Sequence, residues 1–169
     1  YTDGYGTAES LISTAVGPVA NVNDAPQISS NGGGATALVS VAENQSVVTT
    51  VTSTDVDGAA PRYGIAGGAD AARFSIDAAA GTLRFAAAPD FEAPADADRD
   101  NVYELVVAVA DGNGGTDLQS VAVAVSGVNE APGNVLPSAA MLAERAPAGT
   151  VVAIVTASDP DAGDLFSFT

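Results

Sequence analysis

The sequence contains no cysteine, no histidine and no tryptophan, and its five basic residues are all arginine. Each absence excludes a class of chemistry. Without imidazole or thiol there is no acid–base histidine, no cysteine nucleophile, and no zinc, haem or iron–sulfur site of the usual ligand types. The 21 acidic residues give a formal net charge of −16, so nucleic acid and anionic membrane surfaces are electrostatically unsuitable partners. No apolar run reaches the about 18 residues that a membrane-spanning helix needs. Cysteine-free chains occur in every compartment, and a secreted bacterial protein without disulfides fits this composition. The ionic ligands that remain are almost all carboxylates.

What the chain has in quantity is alternation. Val/Thr/Ala patterns punctuated by Gly, Asp, Asn and Pro recur throughout, and few segments hold a helical period beyond two turns. Seven strands are predicted, at 36–42, 47–53, 61–66, 72–77, 82–87, 102–110 and 117–128. Over 102–110 the two-residue period puts Tyr103, Leu105, Val107 and Val109 on one face, which should be buried. The last strand puts Leu118, Val121, Val123 and Val125 near the same alternation, with a one-residue irregularity that a bulge would absorb. Seven short strands in about a hundred residues predict an all-β, immunoglobulin-like Greek-key sandwich. Aromatic residues make up only 5% of the chain, so Tyr63, Phe74, Phe85, Phe91 and Tyr103 are expected to carry much of its core.

The sequence also repeats. VNDAP at 22–26 returns as VNEAP at 128–132, DGYGTAESLISTAVGPVANVNDAP is echoed by DGNGGTDLQSVAVAVSGVNEAP, and VAENQSVVTTVTSTDVDG by LAERAPAGTVVAIVTASDPDAG. The simplest organisation is a tandem array of β domains. Residues 1–24 read as the end of a preceding immunoglobulin-like domain plus its linker. Residues 25–131 read as one complete domain, and 132–169 as the first strands of the next, too few to bury both faces of a sheet.

Antiparallel strands sort the acidic residues to the two ends of such a sandwich. Asp55, Asp57 and Asp111 belong at the end that meets VNDAP; Glu43, Asp90 and Glu92 belong at the end that meets VNEAP. Two carboxylates 5–6 Å apart repel by about 3 kcal/mol at an effective dielectric of 20. Clusters of this kind either splay into water or hold a cation. Hard oxygen ligands in flexible loops favour Ca²⁺ over a transition metal. Other patterns are weaker. Asp96, Asp98 and Asp100 have the DxDxD spacing of a calcium loop, but Arg99 interrupts them and the turn-making Gly is absent, so a solvated loop is expected. Asp90 and Glu92, two residues apart, leave little room for a sugar between them as a glycosidase pair. DGNGG reads as a hairpin turn rather than a phosphate loop.

The ordered set AEN, TDVD, PDFE, VADG and VNEAP resembles the cadherin repeat, specifically the cadherin-like repeats of large bacterial surface proteins. The resemblance covers 25–131 and continues through 169, and it implies calcium bound between successive domains. Carried over position by position, Glu43, Asp90 and Glu92 match the acids at the base of a repeat, Asn129 and Glu130 the linker pair, and Asp159 and Asp161 the paired acids of the next repeat. One junction earlier, Asn23, Asp24, Asp55, Asp57 and Asp111 match the linker and top groups. The family's linker usually opens with an acid two residues before its Asn, where this chain has Asn21 and Gly127. The implied function is non-enzymatic: an extracellular or cell-surface array stiffened by Ca²⁺ for adhesion, with neighbouring repeats and like domains on another cell as partners. The alternative is a carbohydrate-binding module contacting a surface glycan, which would want a row of exposed aromatic rings.

Overall fold

The computed structural model describes residues 20–138 and 141–168; the expected end of a preceding domain lies, up to residue 19, outside them. Eleven strands follow one another: β1 (Gln27–Ile28), β2 (Thr36–Ala42), β3 (Val47–Thr50), β4 (Ser53–Thr54), β5 (Arg62–Gly67), β6 (Phe74–Ile76), β7 (Thr82–Phe85), β8 (Val102–Ala110), β9 (Thr116–Ser126), β10 (Gly133–Pro137) and β11 (Val155–Ser158). A four-stranded sheet, β2-β9-β8-β5, faces a three-stranded sheet, β3-β7-β6. Between them lies the core of an all-β, immunoglobulin-like sandwich.

The alternation at 102–110 does what its period requires. Tyr103, Leu105, Val107 and Val109 are all buried, with Tyr103 opposite Val123 and Leu105 opposite Val121 of β9. Phe74, Phe85 and Tyr103 close one side of this core, with Phe85 edge-on to Tyr103 at a centroid separation of 5.1 Å. Packing of this kind adds about 0.5–1.5 kcal/mol beyond the apolar area removed from water.

Three expectations are corrected. The β8–β9 register is regular from Val102↔Ala124 to Ala110↔Thr116, so no bulge is needed: Leu118 points outward and Gln119 takes the buried place before Val121. Nε2 of Gln119 donates to the Gly34 carbonyl at 2.7 Å, while its Oε1 is buried without a partner. Phe91 leaves the core and lies 37% exposed over Gly127, where an added Cβ would meet the ring at 3.0 Å. The strand expected over 47–53 breaks after Thr50. Val51 is fully buried and donates to Gly81 O at 2.8 Å, and Ser53–Thr54 pairs with β1 instead.

One pairing positions the acids. β2 lies parallel to β9, in register from Thr36↔Ser120 to Ala42↔Ser126. Both strands therefore finish at the same end of the sandwich, Glu43 beside the VNEAP linker. β8 runs antiparallel to β9 and β5 antiparallel to β8, which brings Asp111 and the residues before β5 to the opposite end. β10 and β11 form a separate two-stranded sheet.

Candidate metal centres at the two linkers

At the VNEAP end the first fixed point is Glu43, 1% exposed. Its backbone N–H extends the parallel ladder to Ser126 O at 2.9 Å. Its carboxylate accepts from Val128 N at 2.7 Å through Oε1 and from Phe91 N at 2.8 Å through Oε2. Glu43 thereby ties the linker to the PDFE segment. Asn44, in the left-handed region at φ 62°, turns the chain and donates its N–H to Pro89 O at 2.9 Å; its side-chain amide donates to Glu130 Oε1 at 3.0 Å.

Carboxylates converge on this frame. Glu43, Asp90 and Glu92 each bring a ligand oxygen within 4.8 Å of the others. Asp161 reaches in from beyond the linker, where its Oδ2 accepts from Glu130 N at 2.6 Å. Asp159 orients Asp161, accepting its N–H at 3.0 Å, and Asn129 turns its amide onto Glu130 O at 2.9 Å. Loss of hydration first, and then the negative charges of Glu43, Asp161 and Glu130, push the Glu92 carboxyl above its ordinary value, although the side chain as a whole stays exposed. Asp164 gathers with Asp159 and Asp161; no motif in the sequence marked it.

At the VNDAP end the acids are met differently. Asn23 donates its amide to Asp111 Oδ2 at 2.7 Å. Asp24 donates its N–H to Asp57 Oδ2 at 2.7 Å, and the Asn21 amide donates to Asp57 Oδ1. Asp111 Oδ1 also accepts from Asn113 N and Gly115 N at 2.7 and 3.0 Å, which builds the DGNGG turn between β8 and β9. Gly115 is required there: a Cβ would collide with Asp111 Oδ2 and lie 2.8 Å from Ala25 Cα. The Asp24 N–H and then the Asn21 amide hold Asp57 below its ordinary value; the Asn23 amide and then the Asn113 N–H do the same for Asp111. Asp55 accepts from Asp57 N at 2.8 Å through Oδ1, while its Oδ2 is buried with no partner.

These donor sets fit a hard cation. They are wholly oxygen, partly desolvated and mutually repulsive, and one buried oxygen is left unmatched, as calcium sites with six to eight oxygen ligands require.

The family model described as the cadherin domain matches residues 37–126. The chain belongs to the cadherin family. Its structural neighbours include Drosophila N-cadherin EC1-4, 28% identical with a TM-score of 0.55, covering 83% of this chain and 35% of that one. Human Protocadherin-24 EC1-2 is 22% identical with a TM-score of 0.55, covering 83% of this chain and 62% of that one; at that identity it attests the fold alone. The cadherin chain here thus spans about a third to three fifths of the length of these ectodomain structures. Among curated proteins, none matches it by sequence.

Proposed function

We propose that residues 25–131 are one calcium-clamped repeat of an extracellular, tandem cadherin-like array whose function is adhesion. In this reading 1–24 end a preceding domain and 132–169 begin the next. At the VNEAP junction Glu43, Asp90, Glu92, Glu130 and Asp161 share ions, with Asn129 and Asp159 completing a neighbouring site. Asn23, Asp24, Asp55, Asp57 and Asp111 serve the junction before it. Bound calcium would neutralise the crowded carboxylates and fix the angle between successive repeats. Neighbouring repeats are the first partners, and like domains on another cell, of bacterial origin by resemblance, the second.

The observation that carries the proposal is the gathering of Glu43, Asp90 and Glu92 on one side of the linker while Asp161, from the other, accepts from the linker's Glu130 N–H and adds its charge to those around Glu92. Isolated surface acids have no reason to converge across a linker. The glycan-binding alternative gains little support, because Tyr63, Phe74, Phe85 and Tyr103 are consumed by the core.

Thermal unfolding in millimolar Ca²⁺ and in chelator tests the reading. A ligand at a hundred times its Kd stabilises by about 2.7 kcal/mol, so calcium should raise the midpoint clearly. Glu92→Ala should remove most of the part of this shift that belongs to the VNEAP junction. Coincident curves in calcium and chelator would leave a plain acidic spacer as the better account.

A further inference from the structure

The connection between β7 and β8, residues 86–101, contains neither helix nor strand. Irregular connections longer than about 12–15 residues are usually functional or disordered. This one is pinned from several sides. Asp70, 5% exposed, accepts from Ala97 N and Glu104 N, both at 2.8 Å. The Tyr103 hydroxyl accepts from Ala95 N at 3.1 Å, and the Asn101 amide donates to Phe91 O at 2.9 Å.

Within this loop Asp96, Asp98 and Asp100 each bring a carboxylate oxygen within 4.8 Å of the others. Crowded surface acids alone would mean little; Asp96 is different. It is only 5% exposed. Its Oδ2 accepts from Asp100 N at 2.8 Å, but its Oδ1 is sealed from solvent without any hydrogen-bond partner, and the Asp98 carboxyl lies against the Asp96 side chain. The Arg99 backbone N–H turns toward the Asp96 carboxylate, yet Oδ1 itself is left without a partner. A buried, unmatched carboxylate oxygen is costly, and one carboxylate cannot donate to another. Something positive belongs between them. The missing turn glycine is no obstacle, because Asn101 takes the left-handed conformation at φ 65°, which asparagine tolerates better than most residues.

We propose that Asp96, Asp98 and Asp100 form a further calcium site inside the domain, with Asp96 Oδ1 as its buried ligand and water completing the oxygen shell. It shares no ligand with either linker cluster. Calcium suits three carboxylates on an irregular loop better than Mg²⁺, which demands a near-ideal octahedron. Through the Asn101–Phe91 hydrogen bond, an ion here would hold the segment that carries Asp90 and Glu92. The competing occupant is a proton shared by Asp96 and Asp98.

The test counts calcium ions bound per chain, by native mass spectrometry and equilibrium dialysis, in the 169-residue protein and in Asp98→Asn, Asp98→Ser and Glu92→Ala. Both Asp98 variants should lose one ion that Glu92→Ala keeps, and tyrosine-excited terbium luminescence, sensitised by the adjacent Tyr103, should fall in the same two variants only. In chelator Asp98→Asn should melt no lower than the parent, since its amide can donate to Asp96 Oδ1, and it should gain less from calcium. Equal ion counts and equal terbium signals in the parent and both Asp98 variants would overturn the proposal and leave the shared proton. Loss of ions in Glu92→Ala alone would do the same while leaving the junction reading intact.

Discussion

The two linkers differ by one acid in five residues, yet their surroundings solve the same electrostatic problem in opposite ways. At VNDAP, Asn21, Asn23 and the Asp24 N–H point donors at Asp57 and Asp111, whose carboxyls are held below their ordinary values. At VNEAP, Glu43 spends both oxygens on backbone N–H groups, and Glu92 is left facing Glu43, Asp161 and Glu130 with its carboxyl pushed up. Among the described residues, Asp57 and Asp111 of the first cluster are held by donors of the chain itself, with Asp55 Oδ2 unmatched beside them, whereas Glu92 of the second faces other carboxylates. Calcium should therefore matter more at the second linker.

The hardest blow to that contrast is Glu43→Ala. It strands the Val128 and Phe91 N–H groups, each worth roughly 1–3 kcal/mol if left unmatched. Urea unfolding should show a loss of about 2–5 kcal/mol that calcium fails to restore, because the residue frames the site as well as lining it. A loss seen in calcium but absent in chelator would mean that Glu43 is only a ligand.

A smaller change should convert one linker toward the other. Asn21→Asp removes a donor to Asp57 and supplies the acid that the family usually carries at that position. In chelator it should cost about 1 kcal/mol, and calcium should reverse the cost. If the variant is equally destabilised in both conditions, then Asn21 is a structural cap and the first linker is no cation site.

Proteolysis sharpens the comparison from the other side. β10 and β11 are exposed along almost their whole length, and a two-stranded sheet alone is marginal in water. Cleavage within 133–168 should precede cleavage of the sandwich in chelator and slow several-fold in calcium, because Asp161 docks on the second linker. Cleavage rates indifferent to calcium would uncouple that segment from the junction.

The smallest effect is expected at an acid that belongs to neither linker cluster. Asp77 Oδ1 accepts from Ala79 N and Ala80 N at 2.9 and 2.8 Å; the Ala80 N–H first, and then that of Ala79, lower its pKa below the ordinary 3.8. A depressed acid stabilises the fold above its unfolded pKa and loses that contribution as pH falls through the folded value. Asp77→Ala should therefore cost slightly at neutral pH, with the difference closing below about pH 3–4, and identically with and without calcium. A calcium-dependent difference would show that the melting shift reports something other than the linkers.

Much of this architecture was legible because a two-residue period has one meaning. Tyr103, Leu105, Val107 and Val109 could hardly face anywhere but inward. The same rule fails at Leu118, where hydrophobicity outweighs register: a buried Gln119 whose Nε2 donates to the Gly34 carbonyl leaves no trace in an apolar pattern. Phe91 was misplaced for a related reason, since ring size says core while the partner, Gly127, offers only a surface hollow. The ordering of the acids along the chain agrees with the approach of Glu43, Asp90 and Glu92 to one another. The amides that face them, from Asn21, Asn23 and Asn44, carry no sequence signal as donors, because short polar side chains in turns serve many purposes. The parallel pairing of β2 with β9 was equally silent, for alternation fixes a strand's faces and not its neighbour.

That pairing has a mechanical consequence. The domain is entered from the VNDAP end and left from the VNEAP end, and β2, with seven residues, lies beside β9 in continuous register. Tension applied through the two linkers draws β2 back toward its start and β9 forward toward its finish, so their ladder is loaded lengthwise. Its hydrogen bonds must then give way together rather than peel apart one at a time. Glu43, bonded through its backbone to Ser126 and through its side chain to Val128, sits where that load passes into the next linker.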